Sequence, residues 1–288
     1  MWGCVLHNPR FGPEFQPPYL FYDARRAGIP GRGGQGGPVT PLVIHIPHAS
    51  ERIPAGDRGD FLLSDEELAA EMLRLTDRFT DELYADGADP EDVVAVGVSR
   101  LVVDVERFED DAREPCAKVG MGATYVSTHD GRPLRLLTAA ARERLLAAHH
   151  RPHHRRLDEA ARRRLGAFGR CLVLDGHSFP SRPLPTQVDF GDPPEIGLGT
   201  EPGHTPEPLR DLALHFFRSR GFDVAVDRPY SGSMVPSAFL GRDARVSSLM
   251  VEVRRDLYMD EDTGRRHAGF GRIRAALTEF RAALIARA

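Results

Sequence analysis

Several short runs in this chain are apolar almost throughout: Leu42-Val43-Ile44-His45-Ile46, residues 93–98 and 101–105, Cys171-Leu172-Val173-Leu174, and residues 248–253. A strand with one face in water alternates polar with apolar residues, whereas a strand covered on both faces does not. Longer segments separate the runs. Their apolar residues recur at steps of three and four, the period of a helix with one buried face. The clearest opens at Ser64-Asp65-Glu66-Glu67, a capping box, and carries the stripe Leu68, Met72, Leu75, Phe79 and Leu83. Further helices are expected from Thr138 to about Leu165, from Pro208 to Arg220 and from Gly269 to Ala286, with another strand at residues 224–226. This alternation predicts an α/β fold, a sheet buried on both faces between helices.

The 288 residues suffice for one large domain or two small ones. No linker or internal repeat interrupts residues 41–288, so a single α/β domain is expected there. Residues 1–40 differ: they hold proline pairs, isolated aromatics and the run Gly31-Arg32-Gly33-Gly34-Gln35-Gly36-Gly37. A glycine-rich run is flexible, but Phe15, Tyr19, Phe21 and Tyr22 suit an arm that docks on the body or on a second subunit. Both a monomer and a homodimer fit this reading. The net charge of −4 is too small to imply a nucleic-acid or membrane partner. Three cysteines without CxxC spacing, no apolar run of membrane-spanning length and no signal-peptide pattern at the N-terminus point to the cytoplasm.

Ligands of open α/β sheets bind beyond the carboxyl ends of the strands, so the polar residues that follow the apolar runs matter most. His48 and Glu51 follow the first run, and His177 and Ser178 follow the run at Cys171. Glu252 lies within the late run, followed by Arg254, and the valine-rich hairpin carries Arg100, Asp104, Glu106 and Arg107. Two histidines at strand exits with a carboxylate as third ligand suit one zinc ion that keeps an open position for water. An unpartnered carboxylate is costly in an apolar strand, so Glu252 needs a partner or a site; beside a zinc-activated water it would be the general base. The group His149, His150, His153 and His154 sits on an arginine-rich helix with Pro152 and reads as a solvated or helix-packing feature.

These residues resemble the N-formylglutamate amidohydrolase family over most of residues 41–288. The resemblance rests on Ile46-Pro47-His48-Ala49-Ser50, residues 76–84, residues 99–107, residues 130–134, Asp175-Gly176-His177-Ser178 and residues 252–258, in the family's order. It implies a three-layer α/β/α fold with a mixed central sheet, of the phosphorylase/hydrolase type found in zinc carboxypeptidases and aspartoacylases. It also implies a place in histidine degradation. The carboxypeptidase-like spacing His48-Ala49-Ser50-Glu51 makes Glu51 a third zinc ligand, whereas the family's own motif makes it Asp77. Helical periodicity, by contrast, places Asp77 opposite the buried stripe and exposes it. Substrate carboxylates would be held by Arg100 and Arg107, with Asp104, Arg254 and Ser178 as further substrate-binding residues. The family motif Asp-x-Asn-Arg becomes Asp104-Val105-Glu106-Arg107 here, and a Glu106 facing the pocket would disfavour an anionic side chain.

The expected activity is therefore zinc-dependent hydrolysis of an N-acyl acidic amino acid, N-formyl-L-glutamate first. The alternatives are a zinc amidase or peptidase acting on another acyl-amino acid or peptide, and a binding protein that keeps the fold without the reaction.

Overall fold

The computed structural model describes residues 40–184 and 191–287. The proposed N-terminal arm lies outside the described residues, apart from Thr40. Among the described residues six strands form one sheet: β1 (Leu42–Ile46), β2 (Val93–Ala95), β3 (Cys171–Phe179), β4 (Ile196–Gly199), β5 (Val224–Val226) and β6 (Val246–Arg254), in the order β2-β1-β3-β6-β4-β5. All neighbours run parallel except β4 and β6, so the sheet is mixed. The helices are α1 (Ala55–Arg58), α2 (Asp65–Leu75), α3 (Thr80–Tyr84), α4 (Ala139–Leu145), α5 (Arg151–Phe168), α6 (Glu207–Arg218) and α7 (Gly269–Arg287).

Strand alternation sorts each strand between two cores. Leu42, Ile44, Leu172, Leu174, Leu249 and Val251 pack with residues of α3, α6 and α7, while Val43, Val173 and Val246 pack with Leu157, Ala160 and Ala161 of α5. The three layers follow from this two-sided burial. The same period places His45, Asp175, His177 and Glu252 on the α5 face of three adjacent strands.

Four expectations are corrected. Residues 101–105 form no strand: they are buried turns in a third core with Val96, Val98 and Leu134, because Asp104 N–H bonds Ala123 and Val102 N–H bonds Ser99 rather than a ladder partner. The expected strand at 93–98 shortens to Val93–Ala95 at the sheet edge. The helix that opens at Ser64 stops at Leu75, so Phe79 and Leu83 of the expected stripe belong to the turn and helix that follow. The helix expected to run to Leu165 reaches Phe168 but widens to a π turn at Leu146–His150, where Pro152 lacks the N–H that a regular helix needs. Strand β4, with two glycines in four residues, lacks the side chains that would mark it in sequence.

Candidate active site

Asp77 arrives in the site because α2 breaks. Thr76 is extended (φ −78°, ψ 135°), the Asp77 N–H bonds the His48 carbonyl at 3.0 Å, and Phe79 takes a left-handed conformation (φ 68°) before α3 begins. Periodicity carried through this break turns Asp77 to solvent; in fact it is 2% exposed. Gly176 between Asp175 and His177 has an equally local reason. A Cβ there would lie 2.8 Å from the ring of Tyr84, whose hydroxyl reaches the carbonyls of His177 and Val251 at 3.0 and 2.7 Å.

Around these elements the two histidines and Asp77 converge. Asp77 Oδ2 lies 3.2 Å from His177 Nδ1 and 3.6 Å from His48 Nδ1. The opposite nitrogen of each ring faces a different carboxylate: His48 Nε2 meets Asp104 Oδ1 at 2.8 Å, and His177 Nε2 meets Asp175 Oδ1 at 3.1 Å. The other Asp77 oxygen accepts from Arg255 Nη2 at 2.8 Å. Ligands on a tetrahedral zinc at about 2.0–2.1 Å stand roughly 3.3 Å apart, and ligating histidines are usually backed by carboxylates. The donor types and their backing suit a metal ion, and among the described residues His48 and His177 lie close enough together, with Glu106, to hold one. His48 Nδ1 is buried without a hydrogen-bond partner, an orphan of the kind a cation would satisfy.

Glu252 stands directly beside His177 in the β3–β6 register. Its Oε2 is buried with no partner. Burial pushes its carboxyl up to about 8, with Asp77 and Glu106 adding to the rise against His177. Burial alone would lower the two site histidines; the carboxylates reverse this, Asp104 and Asp77 raising His48, and Glu106 and Asp175 carrying His177 well above the ordinary value. Burial likewise opposes ionisation of Asp77, but His177, His48 and Arg255 hold it well below the usual range.

The structure redistributes the other expected roles. Glu51 pairs with Arg78 at 2.6 Å, is partly exposed and does not line the cavity. Asp104, expected at the substrate, is fully buried behind His48, where it also accepts from Arg100 and from the Tyr125 hydroxyl at 2.7 Å. Arg254 leaves the site: it is the last residue of β6, opposite Phe179 at the end of the ladder, and its guanidinium bonds Asp256 and the Pro193 carbonyl. The next residue, Arg255, turns back through a 3-10 turn and was missed in sequence; it bonds Asp77 and Ser178. Ser178, Arg100 and Arg107 do line the cavity. Glu106 lines it too, 3.1 Å from His177 Nε2 and 3.8 Å from His48 Nδ1, which makes it a further candidate ligand with the two histidines. Of the histidine group on the π turn and α5, His149 is partly exposed, whereas the other three pack inward as the helix-packing alternative had it: His150 and His154 bond the carbonyls of Arg107 and Val105, and His153 meets His45.

The cavity at these residues measures about 160 Å³. That is small beside the roughly 300–1,000 Å³ of drug-sized pockets, and it suits an amino-acid-sized ligand. Arg74 stands at its wall and forms no ion pair among the described residues, whereas Arg100 and Arg255 are committed to Asp104 and Asp77.

Comparison with known proteins bears on the same residues. The model of the N-formylglutamate amidohydrolase family matches residues 40–259, a span that contains all the site residues above. The solved structure of an N-formylglutamate amidohydrolase from Ralstonia eutropha JMP134 is 27% identical, with a TM-score of 0.71 over 87% of this chain and 96% of that one. A gene product of Agrobacterium tumefaciens is 20% identical, with a TM-score of 0.58 over 85% of this chain and 92% of that one, a likeness of fold alone. A search of curated proteins finds no significant match.

Proposed function

The chain belongs to the N-formylglutamate amidohydrolase family, and from that premise we propose that it uses one zinc ion to hydrolyse the N-acyl amide of an acidic amino acid, N-formyl-L-glutamate first. It is a hydrolase acting on amide bonds. The observation that carries the metal is the approach of Asp77 Oδ2 to both His48 Nδ1 and His177 Nδ1, each of the three residues being backed by its own charged partner. These three would hold the ion, and Glu51 would not. A zinc ion supplies Lewis acidity there, making water nucleophilic near neutral pH and polarising a carbonyl.

The chain's own residues account for the rest. A cation held beside Glu252 would favour its carboxylate form against the effect of burial; Glu252 then accepts a proton from the attacking water at Oε2 and delivers it to the departing amide nitrogen, which must be protonated before it can leave as an amine. Asp104 and Asp175 orient the two histidines, and Arg255 fixes Asp77. Arg74 takes a substrate carboxylate, and Arg107, which also lines the cavity, assists. The small cavity disfavours long acyl groups.

Glu106 favours a second reading. A carboxylate at the cavity wall would repel an anionic side chain placed against it, which points to a neutral or basic N-acyl amino acid. Hydrolysis of N-formyl, N-acetyl and N-succinyl derivatives of acidic, neutral and basic amino acids separates the two. Fastest turnover of N-formylglutamate, abolished by a chelator and restored by zinc, is the expected result. A preference for neutral or basic substrates would transfer the conclusion to the second reading, and chelator-resistant turnover would refute the zinc.

A further inference from the structure

Behind the site, a row of polar groups runs from the cavity into the protein. His177 Nε2 meets Asp175 Oδ1, His45 Nδ1 meets the same oxygen at 2.7 Å, and His45 Nε2 meets His153 Nε2 at 2.9 Å. His45 is fully buried on β1, and His153 is buried on α5, which covers that face of the sheet. His45, Asp175 and Glu106 could on donor type alone hold a cation of their own. The 2.7 Å between His45 and Asp175 is a hydrogen-bond length, shorter than the roughly 3.3 Å between two ligands of one zinc. A proton joins them.

The position of every proton in the row follows from its inner end. His153 Nδ1 is buried with no partner. A proton there would be a buried donor with nothing to accept it, a cost avoided by placing it on Nε2. Burial, with the neighbouring His45, holds His153 well below the ordinary histidine value and keeps it neutral. His153 Nε2–H therefore donates to His45 Nε2, and His45 in turn donates its Nδ1–H to Asp175. The Met234 N–H fills the other Asp175 oxygen at 2.8 Å. Asp175 is then a fixed acceptor, and His177 must carry its proton on Nε2 to face it. His177 Nδ1, 3.2 Å from Asp77 Oδ2, is then the ring atom left to take a cation, in exchange for the proton it shares with Asp77.

We propose that His45 and His153 are positioning residues for metal binding: through Asp175 they fix the tautomer and ring orientation of His177, so that its Nδ1 is presented as a ligand. The proposal rests on the zinc reading above. Neither residue lines the cavity or touches the reacting atoms.

The test is zinc affinity of the full chain, measured by competition with a chromophoric chelator, together with the visible spectrum of the cobalt-substituted protein. Removing partners outside the ligand shell typically weakens metal binding 10–100-fold. H45L removes the donor to Asp175 and is expected at the lower end, about tenfold, with a shifted cobalt spectrum. H45N keeps an amide donor near the place of Nδ1 and should recover most of the affinity, which a merely space-filling role would not predict. H153L frees the His45 tautomer and should weaken zinc by a smaller factor; it carries the test with H45N if H45L does not fold. Parental zinc affinity in a folded H45L or in H153L overturns the proposal, as does an H45N no better than H45L. A parent chain that binds no zinc overturns instead the metal reading beneath it.

Discussion

Replacing Glu252 by glutamine should make the metal-free protein more stable while it destroys turnover. Glutamine has the shape of the protonated carboxyl and carries no charge at any pH. The Glu252 carboxyl, ordinarily near 4.5, is pushed up to about 8 in the folded chain, first by burial. A group with a raised folded pKa holds its proton more tightly when folded. Its contribution is therefore favourable below about pH 4.5 and is lost as pH rises towards 8. At about 1.36 kcal/mol per pH unit, the parent gives up at most about 4 kcal/mol by pH 8 and about 1 kcal/mol at pH 5. Glu252→Gln escapes that loss. Urea unfolding of chelator-treated parent and variant at both pH values measures it. With a slope of about 3 kcal/mol per M, a gap of about 3 kcal/mol between them moves the midpoint by about 1 M. The variant should lead clearly at pH 8 and little at pH 5. With zinc restored it should keep the ion and lose a factor of about 10² to 10⁴ in turnover. A stability gap independent of pH, or a variant weaker at pH 8, would refute the picture of a carboxyl strained by burial. Near-normal turnover with intact zinc would make Glu252 structural.

His48→Ala and His177→Ala should each lose bound zinc by elemental analysis while circular dichroism shows the fold retained; full zinc retention in either would end that ligand assignment. Asp77→Asn should weaken zinc at least tenfold in a chelator competition and Glu51→Gln hardly at all, because Glu51 is turned to Arg78; the reverse order would move the third ligand to Glu51. Gly176→Ala should lower stability by about 1–3 kcal/mol, the usual cost of overpacking, since its Cβ would press on the Tyr84 ring. An unchanged thermal midpoint would show that the ring gives way freely.

The sequence by itself determined the layers and the main chemical groups. Continuous apolar runs specify strands covered on both faces, because any water-facing strand would show alternation. His48, His177 and Glu252 were legible because two follow such runs and the third lies inside one, where a carboxylate without a purpose is expensive. Asp175 was within reach as well, since two residues along a strand share a face. What only the tertiary structure decided depends on where the chain stops being periodic. Asp77 is buried because α2 ends at Leu75 and the chain re-enters against the His48 carbonyl, a contact between segments 29 positions apart that no helical wheel contains. Arg255 rather than Arg254 meets Asp77 because a 3-10 turn rotates the side chain after the strand has ended. The buried histidines of α5 have the composition of a solvated face and become partners of His45 and of two loop carbonyls only once the helix lies on the sheet. Local pattern reports which face of a regular element is dry; breaks, turns and contacts between distant segments decide which polar atoms meet.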